Sequence, residues 1–180
     1  MLDERLGVAE ECELLTLQDA ELAIFDGLNR HHAAPLRTVS ALDEQAREEA
    51  LGAAFGRLLE RDLVRHETVD GQAELHIAQP LASLLVLRSA APQVTLLERR
   101  DADQPAFRAL YHHGELVVDE SVDHEGTHRV QLRRTATLAP VLAAWLAPSE
   151  IRSVSGDSVV VRPGDDGWDQ LATATVLARW

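Results

Sequence analysis

The sequence contains no lysine and only one cysteine, and both shortages limit what the protein can do. All 17 basic residues are arginines, against 30 acidic residues, so the net charge is −13. Nucleic-acid binding needs clustered cations that displace counterions from phosphates, and this charge balance opposes it. Cys12 alone can form neither an intrachain disulfide nor a thiolate zinc cluster.

Long apolar runs are also absent from the sequence. The richest stretch, Leu81–Leu87, is much shorter than the roughly 20 residues that a membrane-spanning helix needs. Residues 1–6 lack the basic and apolar regions of a signal peptide. We therefore expect a cytoplasmic protein that does not bind a membrane. Hydrophobic residues make up 46% of the chain, which is enough for a full core.

Periodic apolar residues in the first third of the chain predict two helices. Thr16 is a candidate N-cap, with Asp19 in the capping-box position, for a helix over about residues 17–29. Asp43 is the candidate N-cap of a longer helix that extends to about Arg61. We expect the acidic residues of both helices on their outer, solvated faces.

A short hairpin is predicted directly after the second helix. The β segments Leu63–Thr68 and Ala73–Ile77 flank Asp70 and Gly71, a pair that is typical of a tight type I′ turn. A helix followed by such a hairpin is also the layout of a winged-helix domain. A transcriptional regulator with a winged helix and a C-terminal sensing part is therefore one hypothesis for the function.

The charges around this hairpin argue against DNA as the partner. Arg57, Arg61 and Arg65 recur at helical spacing and could in principle meet phosphates. Acidic residues of the same region, among them Glu60 and Glu67, would then lie close to the DNA backbone. The pattern favours a protein partner over nucleic acid.

The second half of the chain changes to a β pattern. Pro80 and Pro92 bound a predicted helix, because proline is tolerated in a first turn and prevents a helix from continuing. After it, alternating apolar residues with turns at Pro105, His113–Gly114 and Glu125–Gly126 predict an antiparallel meander. Its four strands are Val94–Arg99, Phe107–His112, Leu116–Val122 and His128–Arg134.

These segments together predict an α+β fold. It comprises an antiparallel sheet of about four to six strands packed with three to four helices. Thr137 begins the last helix and Pro148 ends it. We expect one domain at residues 15–147, preceded by an acidic arm at residues 1–14 and followed by a β extension or tail at residues 148–180.

Histidine pairs are the first candidates for chemistry. His124 and His128 are four residues apart, a spacing that can share a metal on a helix, but here it crosses a turn at Gly126. His112 and His113 are adjacent in a strand and point to opposite faces. The pattern favours exposed, solvated histidines over a metal site.

Cys12 and the paired carboxylates give no stronger indication of catalysis. Cys12 lies in no motif, and we expect it to be buried and inert. Neighbouring acids such as Asp119 and Glu120 are usually solvated surface residues. We therefore predict no catalytic residue, no metal and no cofactor.

The order of segments from Leu15 to Leu146 resembles the N-terminal half of the EspG family, the cytoplasmic chaperones of type VII (ESX) secretion in actinobacteria. Three segments are similar to phrases of that family: Leu59–Val64 at a helix end, Leu75–Leu85 leading into a helix, and Gln93–Arg99 in a strand. The resemblance covers roughly 130 residues, judged by the order of periodic segments. EspG proteins are longer and have a second half with a helical bundle that helps to hold the substrate.

The resemblance implies a non-enzymatic adaptor or chaperone that binds a helical client, in that family a PE–PPE pair. The missing second half predicts a homodimer. Trp168 and Trp180 are candidate partner contacts, because tryptophan is enriched at binding interfaces. Leu116 and Val118 on the meander are the other candidates, whereas Trp145 is expected in the core.

Overall fold

A computed structural model describes residues 11–27, 33–69, 72–101 and 104–146 of the chain. Five α-helices and seven strands form an α+β fold over these residues, which confirms the predicted fold class. The large sheet has five antiparallel strands, and the predicted hairpin forms a separate sheet of two. Within the described ranges, no helix is long and apolar enough to cross a membrane.

The elements are short and follow one another closely along the chain. The helices are α1 (Asp19–Asp26), α2 (Arg37–Ser40), α3 (Glu44–Glu60), α4 (Gln79–Ala90) and α5 (Leu138–Leu146). A short 3-10 helix, Thr135–Thr137, precedes α5. The strands are β1 (Glu11–Gln18), β2 (Val64–Val69), β3 (Gln72–Ile77), β4 (Gln93–Asp101), β5 (Gln104–His113), β6 (Leu116–Val122) and β7 (Thr127–Arg134).

The large sheet is the predicted meander with one strand added. Strands β4 to β7 pair in chain order, and β1 pairs antiparallel with β7, giving the order β1-β7-β6-β5-β4. Residues 11–14 of the predicted acidic arm therefore lie in the sheet. The register of β1 shifts between Glu13 and Leu15, as at a β-bulge.

One of the two predicted helix starts is wrong, and the other is confirmed. Thr16 lies inside β1, where pairing with β7 keeps its backbone extended, so α1 begins only at Asp19. Gln18 is the N-cap, and its backbone N–H donates to the Glu21 carboxylate at 2.9 Å. Asp43 caps α3 as predicted and accepts from the Ala46 N–H at 2.9 Å.

Among the predicted turns, those at Gly114 and Gly126 are confirmed and the one at Pro105 is wrong. Pro105 was predicted in a turn, but it lies in β5 opposite Arg100, near the strand start, where a missing N–H is tolerated. Gly114 and Gly126 adopt positive φ angles of 68° and 75°, as tight turns require. The predicted Asp70–Gly71 turn lies outside the described residues.

Apolar side chains pack on both faces of the large sheet. On one face the core is built mainly from leucines and valines of α1 to α4 and the sheet, with Leu22, Leu58 and Leu84 fully buried. On the other face, Leu138 from the start of α5 packs with Leu110 and Val117. Since successive residues of a strand point to opposite faces, β5, β6 and β7 contribute to both sides.

Candidate functional site

The hairpin β2–β3 exposes large apolar side chains. Leu75 and Ile77 are 46% and 38% exposed. Among the described residues, the other exposed large hydrophobic residue is Val86 on α4. The register pairs Ile77 with Val64 and Leu75 with His66. Because directly opposite residues of an antiparallel pair share a face, Leu75 and Ile77 lie on one side of the hairpin.

This side of the hairpin adjoins helix α3. The ring of Phe55 makes an edge contact with the ring of His66, with centroids 6.0 Å apart. Gly52 lies one turn before Phe55 and Gly56 directly after it, and an added Cβ at either glycine would meet nothing within 4 Å. We call this apolar area, formed by Gly52, Phe55, Gly56, Leu75 and Ile77, the hairpin surface.

The opposite side of the hairpin is polar and acidic. Glu67 pairs with Glu74, and Arg65 pairs with His76. The Nε2 atom of His76 lies 3.5 Å from Glu67 and 3.4 Å from Glu74, and all three side chains are about half exposed. The hairpin therefore has one apolar and one acidic side, both accessible.

The three arginines that could meet phosphates in a winged helix already pair with acidic residues. Arg57 and Arg61 both bind the carboxylate of Glu21, at 3.3 and 3.2 Å, across an open cleft of about 450 Å³. Arg65 binds Asp62 at 3.2 Å. Glu21 is 1% exposed, so it is a fixed counter-ion that neutralises charge where phosphates would have to bind.

A network of ionisable side chains lies beneath the helices, on the face of the sheet that they cover. His128 is at its centre: Nδ1 lies 2.7 Å from Glu120 Oε1, and Nε2 lies 2.7 Å from Asp19 Oδ1. Glu120 also accepts from the Tyr111 hydroxyl at 2.8 Å and from Arg88 at 3.1 Å. Arg88 in turn pairs with Asp26. We call Asp19, Asp26, Arg88, Tyr111, Glu120 and His128 the buried network.

The local fold positions the two carboxylates that contact His128. Asp19 begins α1, where its side chain accepts from the backbone N–H and the hydroxyl of Thr38, both at 2.6 Å. Its backbone N–H donates to the Gly126 carbonyl at 2.9 Å. Glu120 is held by its place in β6, where Ser121 and Asp119 point to the other face. The network therefore joins α1, α2 and α4 to the sheet.

Hydrogen bonds and ion pairs between the members of this network set their charge states, because burial alone would favour the neutral forms. Burial opposes ionisation of Glu120, but Arg88, His128 and Tyr111 together lower its pKa to about 2. Burial also opposes ionisation of Asp19, yet hydrogen bonds from His128 and Thr38 lower its pKa. For His128, burial alone would lower the pKa, but Asp19 and Glu120 raise it. The three groups thus favour an imidazolium between two carboxylates.

A second buried ionic cluster lies on the other face of the sheet. Asp119 accepts two hydrogen bonds of 2.6 Å from Arg108 and one of 2.8 Å from Arg133. The Arg108 guanidinium lies 5.8 Å from the ring centroid of Trp145, which is only half-buried. This cluster has a structural role, because two arginines neutralise one buried carboxylate and satisfy its hydrogen bonds.

Several sequence predictions of solvated polar residues are therefore wrong. Asp119 and Glu120 are buried on opposite faces, and Asp19 and Glu21 are buried although they belong to the first helix. His128 is fully buried. Each of these residues finds a partner of opposite charge on another element of the fold, so that burial does not leave a charge unpaired.

His112, His113 and Cys12 make ordinary structural contacts. His112 bonds to the Thr95 hydroxyl at 3.0 Å, and His113 bonds to the Leu87 carbonyl at 2.9 Å. Cys12 is half-buried and packs against the core. In the part of the chain that the structure describes, no group of three or more His, Cys, Asp or Glu residues could hold a metal ion.

The predicted partner contacts are not brought together. Val118 is fully buried in the core, so its side chain contacts the protein's own residues. Leu116 is half-buried and packs against the same core. Trp168 and Trp180 lie outside the described residues. Sequence analysis missed Leu75 and Ile77, although their alternation in a strand after an Asp-Gly turn was visible.

No family model matches the chain, and no curated protein matches it. The relation to the EspG family remains a prediction that depends on the resemblance alone.

Proposed function

We propose that this chain is a non-enzymatic adaptor or chaperone that binds a helix of another protein on the hairpin surface. The observation that supports it is the exposure of Leu75 and Ile77 beside Phe55, in a domain that buries most of its large apolar side chains. Exposed apolar patches of this kind mark interaction sites. Helices bind such patches with side chains spaced three and four residues apart.

The glycines of α3 support a helix as the ligand. Glycine inside a helix costs about 1 kcal/mol relative to alanine, and none of the described residues would contact a side chain added at Gly52 or Gly56. A bare backbone at these positions would let a partner helix approach α3 closely. The acidic side of the hairpin, with Glu67 and Glu74, favours a client whose flanking residues are basic.

The resemblance supports a proposal for the class of client. An EspG-like role implies a cytoplasmic chaperone that keeps a secreted, helical substrate of a type VII system soluble. We also propose that two copies of this chain pair as a homodimer. Light scattering at micromolar concentration tests the pairing: a mass of two chains supports it, and a strict monomer contradicts it.

Affinity capture with matched variants tests the binding surface. The tagged chain would be incubated with extract of the organism that encodes it, and bound proteins identified by mass spectrometry. We expect a helical protein to be retained by the unmodified chain and by the control variant Arg65→Thr/His76→Thr, but lost with Leu75→Thr/Ile77→Thr. Threonine keeps the strand propensity in all four positions. Equal retention by both variants would remove the hairpin surface from the proposal.

A winged-helix regulator is the second candidate, and the order of elements favours it. Helices α1, α2 and α3 followed by β2 and β3 are the elements of a winged helix. The pairing of Arg57, Arg61 and Arg65 with acids argues against DNA contact. We expect no binding to duplex DNA by fluorescence anisotropy at low salt. Affinity that weakens steeply as salt rises would instead favour the regulator.

A further inference from the structure

We infer that His128 is a proton-dependent clamp, which holds the α1–α2 segment against the sheet when its ring is protonated and releases it when the ring is neutral. This inference rests on the geometry of the buried network and is independent of the proposed function. It assigns to the fold a built-in conformational device that responds to alkaline pH.

The ring geometry requires two protons. Each ring nitrogen of His128 lies 2.7 Å from a carboxylate oxygen, one from Glu120 and one from Asp19. A neutral imidazole has a single N–H, so one nitrogen would turn a lone pair toward an oxygen that can only accept. Two short contacts to acceptors are satisfied only by the imidazolium, in which both nitrogens donate.

The other partners of the two carboxylates require them to accept hydrogen bonds. Asp19 Oδ2 accepts from the N–H and the hydroxyl of Thr38, and Glu120 Oε2 accepts from Tyr111 and Arg88. Asp19 Oδ2 and Glu120 Oε2 thus each accept two hydrogen bonds, as expected for ionised carboxylates. The proton that completes the network must then lie on His128.

The charges that face the clamp come from every element packed around it. Asp19 and Asp26 extend from α1 and Glu120 from β6, whereas Arg88 extends from α4 and the neutral phenol of Tyr111 from β5. Glu21, also on α1, is held separately by Arg57 and Arg61. Protonated His128 and Arg88 thus face three carboxylates. Loss of the His128 proton leaves Arg88 as the remaining cation of the network.

The consequence falls on the start of α1 and on α2. Asp19 is both the first residue of α1 and the ligand of Thr38 in α2, so one side chain links two helices to His128. When the ring becomes neutral, one of its two carboxylate contacts is lost or repulsive. We expect the contact with Asp19 to break first, because Glu120 lies within the sheet whereas Asp19 lies at the end of a helix.

The sign of the pH response follows from the environment of the ring. Asp19 and Glu120 raise the pKa of His128 above its ordinary value of about 6.5, despite its burial. The clamp is therefore fully closed below about pH 6.5 and opens as pH rises through the pKa of the folded state. Below pH 6.5 the two carboxylates, whose pKa values are lowered, stay ionised until the pH falls to their folded pKa values.

NMR of the histidine rings in the intact chain tests the protonation state directly. We expect the His128 ring to show two bound protons at pH 7 and to titrate above about 6.5, and Asp19→Asn to shift that titration to lower pH. His76→Gln, which removes an exposed histidine between two glutamates, should leave the His128 titration unchanged. A His128 ring that is neutral at pH 7 would overturn the inference.

Hydrogen exchange tests the opening of the α1–α2 segment. After correction for intrinsic rates, amides of α1 and α2 should open about tenfold more for each pH unit between about 6.5 and the folded pKa of His128, and opening should level off above that pKa. Amides of β5 and β6 should not follow this dependence. Uniform protection of α1 and α2 from pH 6 to pH 9 would contradict the clamp. Both readouts use the unmodified chain, so the inference stays testable if His128 variants do not fold.

Discussion

Two histidines of this protein lie between two acidic side chains, and the comparison separates the interior of the fold from its surface. His128 contacts Asp19 and Glu120 at 2.7 Å with no exposed area, whereas His76 lies 3.4–3.5 Å from Glu67 and Glu74 with about half of its side chain in solvent. Water screens and replaces the contacts of His76. Water cannot replace the contacts of the buried His128, so the histidine and its two acids must satisfy one another's hydrogen bonds.

The same contrast distinguishes the regions that contain these histidines. The buried network joins three helices to the sheet and leaves its polar atoms satisfied. The hairpin is a sheet of two strands, which is marginal by itself, and every residue of β3 is exposed. The interior therefore supplies stability, whereas the hairpin is exposed to solvent.

The largest effect should come from breaking the buried network at its centre. His128→Gln removes the cation between the buried carboxylates of Asp19 and Glu120 and leaves Arg88 as the remaining cation of the network. We expect the free energy of unfolding to fall by about 3–5 kcal/mol. Urea unfolding followed by circular dichroism measures the loss. The matched change His76→Gln should alter stability by no more than about 0.5 kcal/mol. Similar losses for both variants would contradict the comparison.

A smaller loss is expected from a glycine that adjoins the network. A Cβ at Gly126 would lie 2.7 Å from the Thr38 hydroxyl and 2.8 Å from the Asp19 carboxylate, in a backbone with positive φ. We expect Gly126→Ala to cost about 2–3 kcal/mol, from the strained backbone and the displaced Asp19. Gly114 also has positive φ but open space around it, so Gly114→Ala should cost only about 1 kcal/mol in the same urea titration.

The pH dependence of stability should have two limits set by the same network. The raised pKa of His128 gives a contribution that is complete below about pH 6.5 and disappears as pH rises through its folded value. The lowered pKa values of Asp19 and Glu120 give a contribution that is complete above about pH 4.5 and disappears as pH falls through their folded values, about 2 for Glu120. Thermal unfolding between pH 3 and pH 9 should therefore show a maximum between these limits, and His76→Gln should not move it.

The smallest change in stability, and one of opposite sign, is expected on the hairpin surface. Gly52→Ala and Gly56→Ala should each raise the stability of α3 by about 0.5–1 kcal/mol, because alanine favours the helix and meets no neighbour. If the surface binds a partner helix, the same substitutions should reduce capture of that partner. Stabilised variants that retain full capture would remove the glycines from the proposed interface.

Local sequence signals predicted most of the elements, because their causes are local. Asp43 precedes an apolar stripe, and Pro80 lies in a first turn, so α3 and α4 were predictable from neighbours alone. Alternation predicted the meander in the same way. Thr16 failed because its strand partner, Arg129, is distant in sequence and its pairing overrides the local capping signal.

The ionic networks could not be predicted, because their partners are remote. Asp19 and His128 are separated by 109 residues, and Arg88 and Glu120 by 32. An acid in a helix predicts a solvated face unless its cation is known, and spacing alone does not reveal that cation. Leu75 and Ile77 were visible as strand residues, but their exposure depends on what the rest of the fold leaves uncovered.

Photo-cross-linking at position 75 inside cells of the organism that encodes the chain is the most direct test of the central claim that the hairpin surface binds a protein. A photoreactive residue in place of Leu75 should form an adduct with a helical protein. The same residue in place of Arg129, which is exposed on β7 of the large sheet, should not. No adduct at position 75, or equal adducts at both positions, would contradict the proposed binding surface.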